Sequence, residues 1–268
     1  MSYPRSLLLL VLGLLCAPAS LSAHDTWVQV NTQLVRVADN IHIDLCLGNH
    51  GNHHRDFRFA SKIDLEGAKL VLHAPQGKTY DLKSDLVDLG YAPKEGFYSA
   101  RYTTAAQGMH IVEHTVDKIV NHGQPSRTLK SAKTFFVASP LLDKVSEDQP
   151  GFDKVLGHPL ELVPLKNPVM PMGPEEAIKV QLLLKGKPFA DQTVSFIPRS
   201  AKLKEDFDDQ YERKTDEQGI ASFTPKFGDY YLIVAHHVDE TEKTEEYVKT
   251  GYSAALTLYV PELCPCCD

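Results

Sequence analysis

The residues with the most pointed chemistry are Ser22-Ala23-His24-Asp25-Thr26-Trp27, where an export-signal pattern ends on a small residue and a histidine follows at once. Cleavage after Ala23 makes His24 the new amino terminus. A terminal histidine offers its free amine and its imidazole to the same cation, and the amine's modest pKa lets it give up its proton to a metal near neutral pH. One or two further ligands then close the site. A second cleavage point competes, because Ala17-Pro18-Ala19 is the literal small-x-small match, whereas Leu21 stands in the third position back from Ala23. Cleavage after Ala19 leaves His24 as a strand-edge residue bonded to backbone.

The remaining histidines supply the candidate partners, and neutral imidazole is a ligand for Ni, Co, Cu and Zn. His236 and His237 follow Ile233-Val234-Ala235 in a strand pattern, so their side chains take opposite faces, and alternation with Leu232 and Val234 turns His236 inward. That position suits a ligand or a buried, hydrogen-bonded histidine. His110 and His114 share a strand face with Val112 and Val116, but four residues of strand hold them about 13 Å apart, so they cannot chelate one ion together. Either can complete a site with His24, and His110, nearer the preceding glycine and loop, is the favoured one. The loop Gly48-Asn49-His50-Gly51-Asn52-His53-His54 holds three imidazoles, His50, His53 and His54, on a glycine-rich backbone. It reads as a convergent site or as a solvated connection. The tail Cys264-Pro265-Cys266-Cys267 would bind Cu(I) or Zn if reduced, yet an oxidising setting favours disulfides there and at Cys46.

The elements that must position these residues are strands. One positive charge, Arg5, precedes an apolar run from Leu7 to Leu15, too short for a bilayer span, so residues 1–23 read as a secretory signal. Its removal takes the net charge from -7 to -8, and with no basic cluster the chain is expected to bind neither nucleic acid nor anionic lipid and not to insert into a membrane. Short alternating runs such as Ile41, Ile43 and Leu45 read as half-buried strands. Others follow at 69–73, 79–82, 97–102, 109–116 and 133–137, making an N-terminal β-sandwich module over residues 24–139. The polar stretch 140–157, with Pro150-Gly151, reads as a linker. Residues 158–261 form a second β-sandwich module, immunoglobulin-like or transthyretin-like, with strands at 178–184, 193–197, 220–224, 230–236 and 254–260. Within it Thr215-Asp216-Glu217-Gln218-Gly219 reads as a hairpin turn, with glycine where a positive φ is needed. Only 239–249 could support even a short helix, and residues 262–268 are the cysteine-rich tail. The fold class is therefore mainly β.

Three stretches, Ala23-His24-Asp25-Thr26-Trp27-Val28, Gly157-His158-Pro159-Leu160-Glu161-Leu162-Val163-Pro164 and Tyr252-Ser253-Ala254-Ala255-Leu256-Thr257-Leu258, together resemble the exported DUF4198 proteins. The pattern Gly186-Lys187-Pro188 through Thr215-Asp216-Glu217-Gln218-Gly219 also fits that family's second module. The family is similar to the periplasmic component associated with nickel and cobalt uptake, so the resemblance implies a metal cation as ligand and a membrane metal transporter as partner. The histidine loop and the cysteine tail fall outside the family pattern.

No Gly-x-Ser-x-Gly elbow, His-Glu-x-x-His motif or phosphate loop occurs, which disfavours a hydrolase. The expectation is a periplasmic or secreted protein, not an enzyme, that captures or delivers a transition-metal cation through His24 with His110, His236 or the loop histidines. Two alternatives stand beside it. One is a copper-dependent oxidative enzyme using the same terminal histidine, and the other is a structural or adhesive envelope module whose histidines are incidental.

Overall fold

A computed structural model describes residues 24–48, 65–90, 92, 95–121, 123–204 and 207–262. In chain order its strands are Asp25–Val30 (β1), Leu34–Arg36 (β2), Asn40–Gly48 (β3), Ala68–His73 (β4), Thr79–Asp81 (β5), Val87–Asp88 (β6), Tyr98–Thr103 (β7), Gly108–Asn121 (β8) and Pro125–Ser139 (β9). There follow Leu160–Pro164 (β10), Ile178–Leu184 (β11), Lys187–Pro188 (β12), Thr193–Pro198 (β13), Glu212–Lys214 (β14), Ile220–Phe223 (β15), Asp229–Asp239 (β16) and Thr250–Val260 (β17). The chain is mainly β, as its alternating runs require: in β3 Ile41, Ile43 and Leu45 are buried while His42 faces solvent. No helix among the described residues is long and apolar enough to cross a membrane.

Two small sheets flank a large one. The first runs β1-β3-β7-β6, the second joins β10, β12 and β15 to β11, and the third runs β14-β13-β16-β17-β9-β8-β4-β5 with β2 also on β9. Within the large sheet β17 lies parallel to β9, from Thr250 opposite Arg127 to Thr257 opposite Thr134. This pairing joins strands from residues 24–139 and 158–261 into one sheet. Successive side chains of a strand point to opposite faces, so β9 serves two cores. Ala132, Phe136 and Ala138 pack with Trp27, Ile41, Ile43, Leu232 and Val234, whereas Phe135 and Val137 pack with Leu160, Leu162, Val180, Tyr231 and Ile233. The near-continuous apolar runs Phe135-Phe136-Val137-Ala138 and Leu232-Ile233-Val234-Ala235 follow from that double burial. The connection 140–157 contributes Val145, Phe152 and Leu156 to the second core.

Two local expectations change. The stretch 240–249 forms bends and irregular backbone rather than a helix. The turn at 215–219 is present, with Asp216 Oδ1 accepting the backbone N–H groups of Gln218 and Ile220 at 2.9 and 2.8 Å, but it does not close a hairpin. Its flanking strands β14 and β15 pair with β13 and β11 in different sheets, so the turn carries the chain around a corner between layers. Gly219 has φ of +73°, and a Cβ there would lie 2.7 Å from the Leu182 carbonyl oxygen and 2.8 Å from the Phe189 nitrogen. Gly219→Ala is therefore expected to cost about 1–3 kcal/mol, read as a lower urea midpoint with an unchanged slope.

Candidate functional site

The parallel register of β17 on β9 sets three polar residues in a row on the first-core face. His236 lies opposite Ser253, and Ser253 lies opposite Lys130. β1 begins over this row. Asp25, almost fully buried, accepts a hydrogen bond from His236 Nε2 at 2.8 Å and from Ser253 Oγ at 3.0 Å. The Lys130 ammonium donates to the carbonyl oxygen of His24.

The charges in this cluster decide one another's protonation. Burial alone would raise the Asp25 carboxyl, but His236, Lys130 and the Ser253 hydroxyl outweigh it and hold the group below its ordinary value. Attraction to Asp25, together with the hydrogen bond to it, raises the His236 imidazole above its ordinary value. Burial pushes the Lys130 ammonium down, and Asp25 opposes that shift. A carboxylate only accepts, so His236 carries its proton on Nε2 toward Asp25, and Nδ1 is the nitrogen left for another partner. The ring is suited to one, because 49% of its side chain remains exposed. A carboxylate fixing one imidazole nitrogen is the arrangement that orients a metal-bound histidine. Ser253 donates to Asp25 and not to the imidazole, so the three side chains do not form a nucleophile-base relay.

The structure brings His24 and His236 to this one place, and their link is Asp25, the residue after His24. It does not bring His110. That residue pairs with Phe136 on β9, six residues past Lys130 and so about 20 Å along the strand. Its ring is fully buried and stacks on Phe136 with centroids 4.5 Å apart, while Nδ1 donates to the Gly108 carbonyl at 3.0 Å. Burial pushes its pKa down to about 4, which makes it a neutral aromatic of the core. His114, two residues from Lys130 in register, is the nearer of the two, buried with Nδ1 bonded to the Lys69 carbonyl. His237 takes the opposite face, edge-on to Phe189 and stacked on Tyr252, as strand alternation requires. His50, His53 and His54 lie outside the described residues, as do Cys264, Cys266 and Cys267; Gly48, the last described residue before the three histidines, is the cross-strand partner of Asp25. Cys46 is buried in the first core. Among the described residues no three His, Cys, Asp or Glu side chains are grouped to hold a metal.

A second polar cluster escaped sequence reasoning. On the other face of β9, Glu161 accepts from Lys133 Nζ at 2.5 Å and from the backbone N–H groups of Leu156, Gly157 and His158 at 2.7, 2.9 and 3.0 Å. Both side chains are buried, at 1% and 2% exposure. Burial would raise the Glu161 carboxyl, but Lys133 and these N–H groups outweigh it. His158, held by that loop, donates from Nε2 to Glu113 at 2.8 Å, and His73 donates to the other oxygen at 2.5 Å. The two imidazoles bring the Glu113 carboxyl down to about 2 although burial opposes them. A signal was present in the sequence. Glu161 between two leucines and Lys133 before Thr134-Phe135-Phe136 are opposite charges at core positions, which persist only when paired.

Two outcomes test this account. Glu161→Ala leaves an ammonium and three N–H groups without their acceptor in a dry interior, and urea unfolding should show a loss of about 3–5 kcal/mol. A depressed carboxyl contributes stability that is complete above its unfolded value and is lost as pH falls through its folded one. The Glu113 contribution is therefore complete above pH 4.5 and lost toward about 2, so Glu113→Gln should flatten the pH dependence of the urea midpoint across that window.

No curated protein matches the chain. Among solved structures, the D0-D1 domain of intimin is 13% identical, with 88% of this chain and 98% of that one covered at a TM-score of 0.22. A DUF4785 family protein from Legionella pneumophila is 10% identical over 78% of this chain and 50% of that one, TM-score 0.27. Salmonella alpha-2-macroglobulin reacted with methylamine is 15% identical over 87% of this chain and 15% of that one, TM-score 0.26. The family model described as a domain of unknown function, DUF4198, matches residues 21–239, which hold His24, Asp25, Lys130, Glu161 and His236, and the chain belongs to that family.

Proposed function

We propose that the chain is an exported protein that captures a transition-metal cation of the Ni, Co, Cu and Zn group at the start of β1, through His24 and Nδ1 of His236, for delivery to a membrane transporter. The observation that carries this reading is the Asp25–His236 hydrogen bond beside His24. The donor set fits: imidazole nitrogens suit these borderline cations, and the carboxylates of Asp25 and Glu212 act on His236 from nearby. Lys130 opposes a cation, but its ammonium is bound to the His24 carbonyl. Signal cleavage after Ala23 adds the α-amine as a further nitrogen. The cation is cargo, and the residues do no more than ligate it. Protonation of His236 at Nδ1 competes with the cation, so affinity falls on acidification.

N-terminal sequencing of the exported protein should begin at His24, and calorimetry at neutral pH should show micromolar binding of at least one of the four divalent ions. His236→Ala should weaken that binding, and Asp25→Asn, which removes the carboxylate that holds Nε2 of His236 and faces Lys130, should weaken it about 10–100-fold. Absence of binding to all four ions would end this reading. A second reading, a structural envelope module, draws on the same cluster, since Asp25, Ser253, Lys130 and His236 tie β1, β9, β16 and β17 together with charge-assisted bonds. It predicts that His236→Ala lowers thermal stability equally with and without metal.

A further inference from the structure

Lys133 brings a primary amine against a carboxyl group inside the second core. Its Nζ lies 2.5 Å from Glu161 Oε1, and the two side chains are only 2% and 1% exposed. The carboxyl carbon Cδ is one covalent bond beyond the oxygen that the amine already touches. Phe135, Leu160 and Leu162, their neighbours along β9 and β10, all belong to that apolar core. Bulk water is therefore kept from the pair, and burial acts against the charged form of each group. The surrounding backbone treats the two carboxyl oxygens differently. Oε2 accepts the N–H groups of Gly157 and His158 at 2.9 and 3.0 Å, whereas Oε1 meets the amine and the Leu156 N–H at 2.7 Å. Fixed N–H groups on one oxygen are the arrangement that stabilises an oxyanion when a nucleophile adds to the carbon.

We propose that Lys133 and Glu161 condense in the folded chain to an intramolecular amide, a covalent tie between β9 of the large sheet and β10 of the small sheet built on β11. The chain folds with the ion pair, and the bond forms afterwards. One proton passes from Nζ to Oε1, the neutral amine adds to Cδ, and the negative charge left on Oε2 rests on the Gly157 and His158 N–H groups. A second Nζ proton follows to Oε1, the Cδ–Oε1 bond breaks, and one water departs as the Nζ–Cδ amide closes. Both hydrogens of that water come from the ammonium, so the step balances within the pair. Holding amine and acid in a single position supplies the effective concentration that the free groups lack in solution. Gly157 and His158 also line a cleft of about 270 Å³ between β4, β8, β9 and their own loop, which gives the released water a way out. This tie lies on the opposite face of β9 from Asp25 and His236 and does not depend on the metal reading.

The test is the intact mass of the whole exported protein after thiol reduction, with its amino terminus fixed by sequencing. That mass should fall below the value for the chain by one water, about 18 Da. Trypsin should not cut at Lys133, and residues 131–144 and 155–166 should emerge as one branched peptide. Lys133→Arg keeps a cation facing Glu161 but removes the attacking amine, so it should restore the full mass and release the two segments separately. Should that variant fail to fold, the wild-type mass and peptide map still decide. Full mass in wild-type protein held folded for several days at neutral pH, a water loss that maps to other residues, or the same loss persisting in Lys133→Arg would each overturn the proposal.

Discussion

An ammonium cannot stay in a protein interior without acceptors, and β9 carries two of them, Lys130 and Lys133, where the strand is buried on both faces. They stand three positions apart, so the pleat sends them to opposite sides of the sheet, and each must recruit its acceptors from a different part of the chain. Lys130 recruits the start of β1, through the His24 carbonyl and the field of Asp25. Lys133 recruits Glu161, which gathers the backbone of Leu156, Gly157 and His158 around itself. Placement of two distant segments thus follows from satisfying two charges on one strand.

Three sequence stretches, the first two of them within the family match over residues 21–239, acquire a common physical meaning in this light. The first provides Asp25 and the last provides Ser253, and they meet on one face; the middle one provides Glu161 and His158 on the other. Ser131, between the two lysines, ties its own strand to β10 through the Leu160 carbonyl. These residues are polar positions inside otherwise apolar strands, where a lost partner costs far more than an exposed pair would.

Both clusters fix an imidazole by the same device, a carboxylate accepting from Nε2, yet the outcomes differ with exposure. His236 keeps about half of its side chain open, so its outward nitrogen can meet a cation from solution. His158 is enclosed, and its ring serves to hold Glu113 against the loop 156–158. His110 shows the third case. With no carboxylate and an aromatic stack, burial drives it neutral, and it serves as core.

The amino-acid pattern by itself determined the strand class, because period-two alternation such as Ile41, Ile43 and Leu45 has one local solution, and it determined the opposite facing of His236 and His237 for the same reason. It also marked the 215–219 turn, since Asp and Gly at those positions carry their own local chemistry. Only the tertiary structure decided that β17 lies parallel to β9, that the 215–219 turn crosses between sheets, and that His114 rather than His110 lies near Lys130. Those outcomes rest on pairing and register between segments, more than a hundred residues apart in the case of β17 and β9, and register is set by which faces bury together and which buried charges find partners. No local run of residues contains that information, because face and spacing within a strand are intrinsic to its backbone while the identity of its neighbour belongs to the whole packed chain.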